Sequence, residues 1–155
     1  MHVLHLSSAE ETHALGHALG RVARAGVVVA LHGDLGAGKT TFSQGVGHGL
    51  GVQKPIVSPT FILMTEYDDG RLPMLHADAY RLDAHEVPDM GLDEALEVWA
   101  GVALVEWASR VSEHLPAEYL SIHFRHTGAG RTAEVHAVGV LHSAVMTDWM
   151  QEYGV

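Results

Sequence analysis

The chain is predicted to be an α/β protein built on a mixed, mostly parallel sheet covered by helices. Three observations carry that prediction. Segments with strand character alternate with segments of helical periodicity along the 155 residues. Two strand segments, 27–31 and 102–105, are continuously apolar, the pattern of strands buried on both faces. Two other strand pairs are joined by turn-forming residues and read as antiparallel hairpins, which makes the sheet mixed.

The elements follow in order. Residues 2–6 read as a short strand. Ser8-Ala-Glu-Glu11 matches a capping box, in which Ser8 and Glu11 satisfy the first free N–H groups of a helix. That helix runs to about residue 25 and buries Leu15, Ala18, Leu19 and Val22. The apolar strand 27–31 feeds a glycine loop, and a helix follows from Lys39 to about Leu50. Segments 61–67 and 72–77 are strands around Asp68-Asp69-Gly70, the first hairpin signal. Residues 78–91 are a polar connection, and 93–99 a short helix. The strand 102–105 precedes a helix over 107–115 that Pro116 stops. Segments 119–124 and 132–138 flank Thr127-Gly128-Ala129-Gly130, the second hairpin.

No linker, repeat or low-complexity segment divides the chain, so a single domain is expected over 1–155, with 139–155 as a helical tail. Val145, Met146, Trp149, Met150 and Tyr153 share one helical face of that tail. Packing on the core is the reading that face supports; a helix that docks on a partner is the alternative.

Composition narrows the function. The formal net charge is −10, with nine Lys and Arg in the whole chain. Tight binding of RNA or DNA by the chain alone normally needs a basic face, and none is evident. An acidic surface suits a basic protein partner. Cysteine is absent, so disulfides and thiolate metal sites are excluded. No run approaches the roughly 20 apolar residues of a membrane helix. Glu10, Glu11, Arg21 and Arg24 interrupt the first 25 residues, so a signal peptide is not expected and a cytoplasmic protein is. The thirteen histidines include the i, i+4 pair His13 and His17, and the pair His123 and His126. Neither pair has a third ligand in sight, and they read as compositional bias.

The chemistry lies at residues 33–40, Gly-Asp-Leu-Gly-Ala-Gly-Lys-Thr, which fit G-x-x-x-x-G-K-[ST] without a mismatch. The motif follows a buried strand and opens a helix, the context it requires. Gly33, Gly36 and Gly38, with Asp34, Leu35 and Ala37 between them, let successive backbone N–H groups point inward at phosphate. The start of the helix adds its positive dipole end. Lys39 should reach the β- and γ-phosphates, Thr40 offers its hydroxyl to Mg²⁺, and Thr41 meets the α-phosphate. The fold expected is therefore a three-layer, P-loop NTPase-like α/β sandwich with a nucleoside triphosphate and Mg²⁺ as ligands.

Such sites add an acid at the end of a neighbouring strand. Glu106 supplies one after Val102-Ala-Leu-Val105, and can hold the metal or orient the attacking water. Asp78, just after the strand 72–77 and within His76-Ala-Asp-Ala-Tyr-Arg81, is the second acid, and which of the two is the main Mg²⁺ ligand stays open. Arg81 either serves the site or pairs with Asp78 or Asp83 at the surface. Thr60, in Ser58-Pro-Thr-Phe61, sits in a loop that can lay a hydroxyl beside the γ-phosphate and change state when it leaves.

In order and spacing the set Gly33-Asp-Leu-Gly-Ala-Gly-Lys-Thr-Thr41, Ser58-Pro-Thr-Phe61, His76-Ala-Asp-Ala-Tyr-Arg81, Gly91-Leu-Asp-Glu94 and Val105-Glu-Trp107 resembles the TsaE family, also called YjeE, over about residues 12–116. The resemblance implies a cytoplasmic ATPase of weak intrinsic turnover. It would support the making of threonylcarbamoyladenosine in tRNA together with the TsaB and TsaD proteins. It also implies that Lys39, Thr40, Thr41, Asp78 and Glu106 line the ATP–Mg²⁺ site and that Thr60 belongs to a switch-like loop. Thr12 and Arg110 are the residues it implies near the adenine. Two rivals remain. A guanine-specific switch lacks its Asn/Thr-Lys-x-Asp loop, since the chain has only Lys39 and Lys54. A small-molecule kinase would need an arginine-bearing lid, and Arg71, Arg81, Arg125 and Arg131 are scattered.

Overall fold

Val27–His32 is the strand on which the molecule is organised: its first five residues are buried and it has a parallel neighbour on each side. The computed structural model describes residues 1–34, 36–57, 64–80 and 91–155. Among these, the strands are β1 (His2–Leu6), β2 (Val27–His32), β3 (Met64–Tyr67), β4 (Met74–Asp78), β5 (Val102–Glu106), β6 (Tyr119–Thr127) and β7 (Gly130–Val138). The helices are α1 (Ala9–Val22), α2 (Lys39–Leu50), α3 (Leu92–Val98), a 3-10 helix over Ala108–His114, and α4 (Val140–Tyr153). The sheet order is β1-β7-β6-β2-β5-β4-β3. The four central strands β6, β2, β5 and β4 run parallel, and antiparallel strands close both edges.

Strand alternation sorts the side chains onto two faces. Val27, Val29 and Leu31 pack with Met74, Leu104 and Ile122 against Leu15, Phe42 and Trp149 of α1, α2 and α4. Val28, Ala30, Leu75, Ala77, Ala103 and Val105 form the other core, with Leu92 and Leu96 of α3 and Val111 of the 3-10 helix. The result is the three-layer α/β arrangement the sequence predicts.

Helices α1 and α2 touch along their backbones. A methyl group on Gly16 or Gly20 would strike the carbonyl oxygens of Phe42 or Val46, and one on Gly45 or Gly49 those of His13 or His17. Glycine is thus required on both helices for this approach. It holds the first turn of α2, with Lys39 and Thr40, beside the start of α1.

Several boundaries differ from the sequence reading. Asp78 is not in a polar loop after its strand: it is the last residue of β4 and 5 % exposed, because the parallel ladder to β5 runs on to the pair Asp78–Glu106. β4 starts at Met74 rather than at residue 72, and of the strand expected over 61–67 only Met64–Tyr67 lies within the described residues. The helix expected at 107–115 is a 3-10 helix over Ala108–His114, and Trp107 stands before it with a left-handed backbone, φ 58°. The tail forms α4 from Val140. Its Trp149 is fully buried and its indole N–H donates to the Leu15 carbonyl at 2.9 Å, so this face packs on the core. No helix among the described residues is long and apolar enough to cross a membrane.

Candidate nucleotide site

The parallel strands β2, β5 and β4 end together, and each delivers chemistry at its C-terminal end, where ligands of open α/β sheets bind. β2 runs into the glycine loop. Gly33, Gly36 and Gly38 have φ values of 141°, 76° and 115°, in the region that glycine alone adopts without strain. The Ala37 N–H donates to the Asp34 carbonyl at 3.0 Å, closing a turn that leads into α2. Leu35 lies outside the described residues.

Lys39, the first residue of α2, folds back over this loop. Its ammonium donates to the carbonyl oxygens of Gly33 at 2.5 Å and Asp34 at 2.9 Å, and sits 4.0 Å from the centroid of the Trp107 ring. Burial pulls the Lys39 pKa down, while Glu106, Asp78 and Asp34 pull it the other way. The one buried cation of the loop thus faces carboxylates. Thr40 follows, and its hydroxyl donates to Glu106, with oxygens at 3.1 and 3.3 Å. Thr41 is half-buried on the next position of the same helix.

Glu106 reaches Thr40 because the ladder places it beside Leu31 of β2, at the strand end that feeds the loop. Its other neighbour in the ladder is Asp78 of β4. Both acids are buried. The Tyr80 N–H donates to Asp78 Oδ1 at 2.9 Å, and the Ala79 N–H to the Glu106 carbonyl at 3.0 Å. Thr40, Glu106 and Asp78 are hard oxygen donors gathered at one point, which fits Mg²⁺. No group of three or more His, Asp or Glu among the described residues could hold a metal by itself.

The two residues expected near the adenine flank the loop from different sides. Thr12 is fully buried, donates its hydroxyl to the Ser8 carbonyl at 3.3 Å, and turns its methyl toward Gly38. Arg110 is exposed; its guanidinium lies 5.6 Å from the Tyr80 ring, which in turn lies 4.8 Å from Trp107. Thr60 and Arg81 lie outside the described residues. The histidines find other histidines: His13 stacks near His17 with centroids 6.4 Å apart and meets His48 of α2 at 2.7 Å, and His123 stacks on His32 with centroids 4.3 Å apart.

Four residues stand in the site without having been assigned to it from sequence. Trp107 and Tyr80 form its aromatic wall. Arg131 of β7 lies against Gly38 beside Thr12, where the long β6–β7 hairpin brings it; nothing local in the sequence signals that. His76 is fully buried, and its Nε2 lies 2.5 Å from Glu106 Oε2. Its i, i+2 spacing to Asp78 puts both on one face, a signal that becomes readable only once β4 runs on to Asp78.

The model of the family described as "Threonylcarbamoyl adenosine biosynthesis protein TsaE" matches residues 6–134. The chain belongs to the TsaE family. It is 43 % identical over 134 residues to a protein of Nostoc named tRNA threonylcarbamoyladenosine biosynthesis protein TsaE, covering 84 % of this chain and 82 % of the relative. It is 47 % identical over 119 residues to the Bacillus subtilis protein of that name, covering 77 % of this chain and 74 % of the relative. The crystal structure of Bacillus subtilis YdiB superposes with a TM-score of 0.84 at 36 % identity, over 97 % of this chain and 94 % of that one. The glycine loop, Asp78, Glu106 and Arg131 all fall inside the segment that matches the TsaE model. α4 lies beyond it, yet the structural match covers too much of the chain to leave this helix out.

Proposed function

We propose that this chain binds ATP with Mg²⁺ and hydrolyses it slowly, in support of tRNA threonylcarbamoyladenosine biosynthesis together with TsaB and TsaD proteins. One observation carries the reading. The glycine loop, Lys39, Thr40, Glu106 and Asp78 come together at the ends of three adjacent parallel strands. Membership of the TsaE family supports the biological setting, since the named relatives are tRNA threonylcarbamoyladenosine biosynthesis proteins.

The roles follow from the chemistry of each group. The loop N–H groups and the start of α2 receive phosphate oxygens. Lys39, held on two loop carbonyls, exchanges them for phosphate oxygens and offsets their charge. Thr40 and Glu106 would hold Mg²⁺, which would supply Lewis-acid polarisation of the phosphates. Asp78, beside Glu106, orients the water whose oxygen bonds to the γ-phosphorus as the bond to the β–γ bridging oxygen breaks, leaving ADP and phosphate. Arg131 and Thr12 face the nucleotide from the β7 side of the loop, and Trp107, Tyr80 and Arg110 from the β4 side. With a net charge of −10 the chain alone binds tRNA weakly, and the partner proteins meet the RNA.

The experiment is to measure ATP turnover by the chain alone and with purified TsaB and TsaD, beside Lys39→Ala. Turnover that rises with the partners and is lost in Lys39→Ala is expected. Partners that neither bind the chain nor change its turnover would overturn the biological half of the proposal. Unchanged nucleotide affinity and turnover in Lys39→Ala would overturn the chemical half.

A further inference from the structure

His76 is the most deeply buried ionisable side chain near the glycine loop, and nothing in the roles above uses it. It lies on β4, paired in register with Leu104 of β5 and Thr65 of β3, so its ring enters the apolar layer that also holds Met74 and Leu104. A residue that only filled space in this layer would be apolar, because burying an imidazole costs free energy unless it is hydrogen-bonded. Among the described residues the ring makes one hydrogen bond, from Nε2 to Glu106 Oε2 at 2.5 Å, and Nδ1 has no partner among them. A carboxylate only accepts, so the bond requires a hydrogen on Nε2. In the Nε2–H tautomer Nδ1 carries no hydrogen, so that tautomer leaves no ring N–H without an acceptor.

The consequence falls on Glu106. Its carboxylate ends a strand and would otherwise turn among several rotamers. With Oε2 tied to His76 beneath it, the carboxylate is held with Oε1 3.1 Å and Oε2 3.3 Å from the Thr40 hydroxyl. Partners in this outer position commonly fix the orientation of metal-holding carboxylates and matter about tenfold or more in metal affinity. We propose that His76 is a positioning residue for Glu106, and that its Nε2–H sets the Mg²⁺ affinity of the nucleotide-bound site. This rests on the ATP–Mg²⁺ reading of the site.

The test compares wild type, His76→Leu, His76→Gln and Lys39→Ala. Leucine fills the space without a donor; glutamine keeps an N–H donor on a side chain of similar reach. The readouts are Mn²⁺ affinity of the complex with a non-hydrolysable ATP analogue, by electron paramagnetic resonance, and analogue affinity without metal. His76→Leu is expected to weaken Mn²⁺ binding about tenfold while metal-free analogue affinity stays within about twofold, and His76→Gln to recover most of the loss. Unchanged Mn²⁺ affinity in His76→Leu overturns the proposal, as does a glutamine variant no better than leucine. Should the variants fail to fold, the wild-type protein decides. Imidazole nitrogen shifts in ¹⁵N NMR must show His76 as the Nε2–H tautomer, and the Nδ1–H tautomer overturns the inference. If wild type and Lys39→Ala alike fail to bind the analogue, it is the ATP reading that fails; if only Lys39→Ala fails and His76→Leu behaves as wild type, this inference alone fails.

Discussion

The Lys39 ammonium lies 4.0 Å from the centre of the Trp107 ring while it donates to two carbonyls of its own loop. Such a cation over an indole face gains on the order of 0.5–2 kcal/mol. The lysine is therefore held at the loop rather than loose. When phosphate oxygens replace the two carbonyls, the ammonium moves relative to the indole, and Trp107 emission should change. The other two tryptophans, Trp99 and Trp149, make their indole hydrogen bonds to the carbonyls of Pro73 and Leu15, away from the loop. Trp107→Phe should therefore abolish the nucleotide-dependent change in tryptophan fluorescence while ATP affinity falls by less than about threefold, since phenylalanine keeps a ring face. A variant that retains the full emission change would show that the change comes from Trp99 or Trp149 and not from the contact of Lys39 with Trp107.

Glu106 and Asp78 are adjacent in the ladder and similarly buried, so their variants should behave more alike than the sequence suggests. Read from sequence, Asp78 falls just after its strand, at the start of the polar connection 78–91. In the fold it is as firmly seated as Glu106. Glu106→Gln and Asp78→Asn keep size and remove charge. Each should lower turnover by on the order of 10²-fold. They should differ in metal response: Glu106→Gln, which meets Thr40 directly, raises the Mg²⁺ needed for half-maximal turnover, and Asp78→Asn does not. Turnover measured against Mg²⁺ separates them. Wild-type turnover for Glu106→Gln at limiting Mg²⁺ would leave Asp78 as the metal-side acid.

The parts of the site written in consecutive residues were legible in the sequence. The loop from Gly33 to Thr40 announces itself because phosphate binding needs glycines and a helix start in fixed order. The strand ending in Glu106 is readable from its continuous apolar run. What stayed hidden depends on which strands are neighbours. Asp78 reads as a loop residue because the polar segment after it carries no strand pattern, and only pairing with β5 extends β4 to it. Arg131 reaches Gly38 through the β6–β7 hairpin, across nearly a hundred residues of sequence. The wide contact of α1 with α2 was equally silent. Its glycines look like weak helix formers until a second backbone lies against them.

Acid should destabilise the protein before its carboxylates protonate. Burial, with the neighbouring His123 and Lys39, pushes the His32 pKa down from 6.5 to about 4. His13, His123 and His142 are shifted in the same direction, each mainly by burial. A group whose folded pKa lies below its unfolded value is protonated first in the unfolded chain. Its contribution is fully present above pH 6.5 and is lost as pH falls toward about 4. The urea midpoint should therefore fall steadily from pH 7 to pH 5, and His32→Gln should flatten that slope. An unchanged slope would show that His32 keeps its ordinary pKa in the folded state.

The last helix should be part of the folding core, although it lies outside the segment that matches the TsaE model. α4 is fastened at both ends. Near its start, the Val28 N–H of the central strand donates to His142 Nε2 at 3.0 Å, in a buried position. Near its end, Trp149 is fully buried against Phe42, with ring centroids 6.0 Å apart, and donates to the Leu15 carbonyl. His142→Leu leaves the Val28 N–H without its acceptor and should cost about 1–3 kcal/mol. Trp149→Ala empties a large volume between α1 and α2 and should cost about 3–5 kcal/mol, a large share of the stability of a domain this size. Trp149→Phe keeps most of the ring and should cost clearly less. Urea unfolding of the three variants measures each loss. A cost below about 1 kcal/mol for Trp149→Ala would mean that α4 contributes little to the core. The helix would then be read as one that leaves the domain surface readily and is free to dock on a partner.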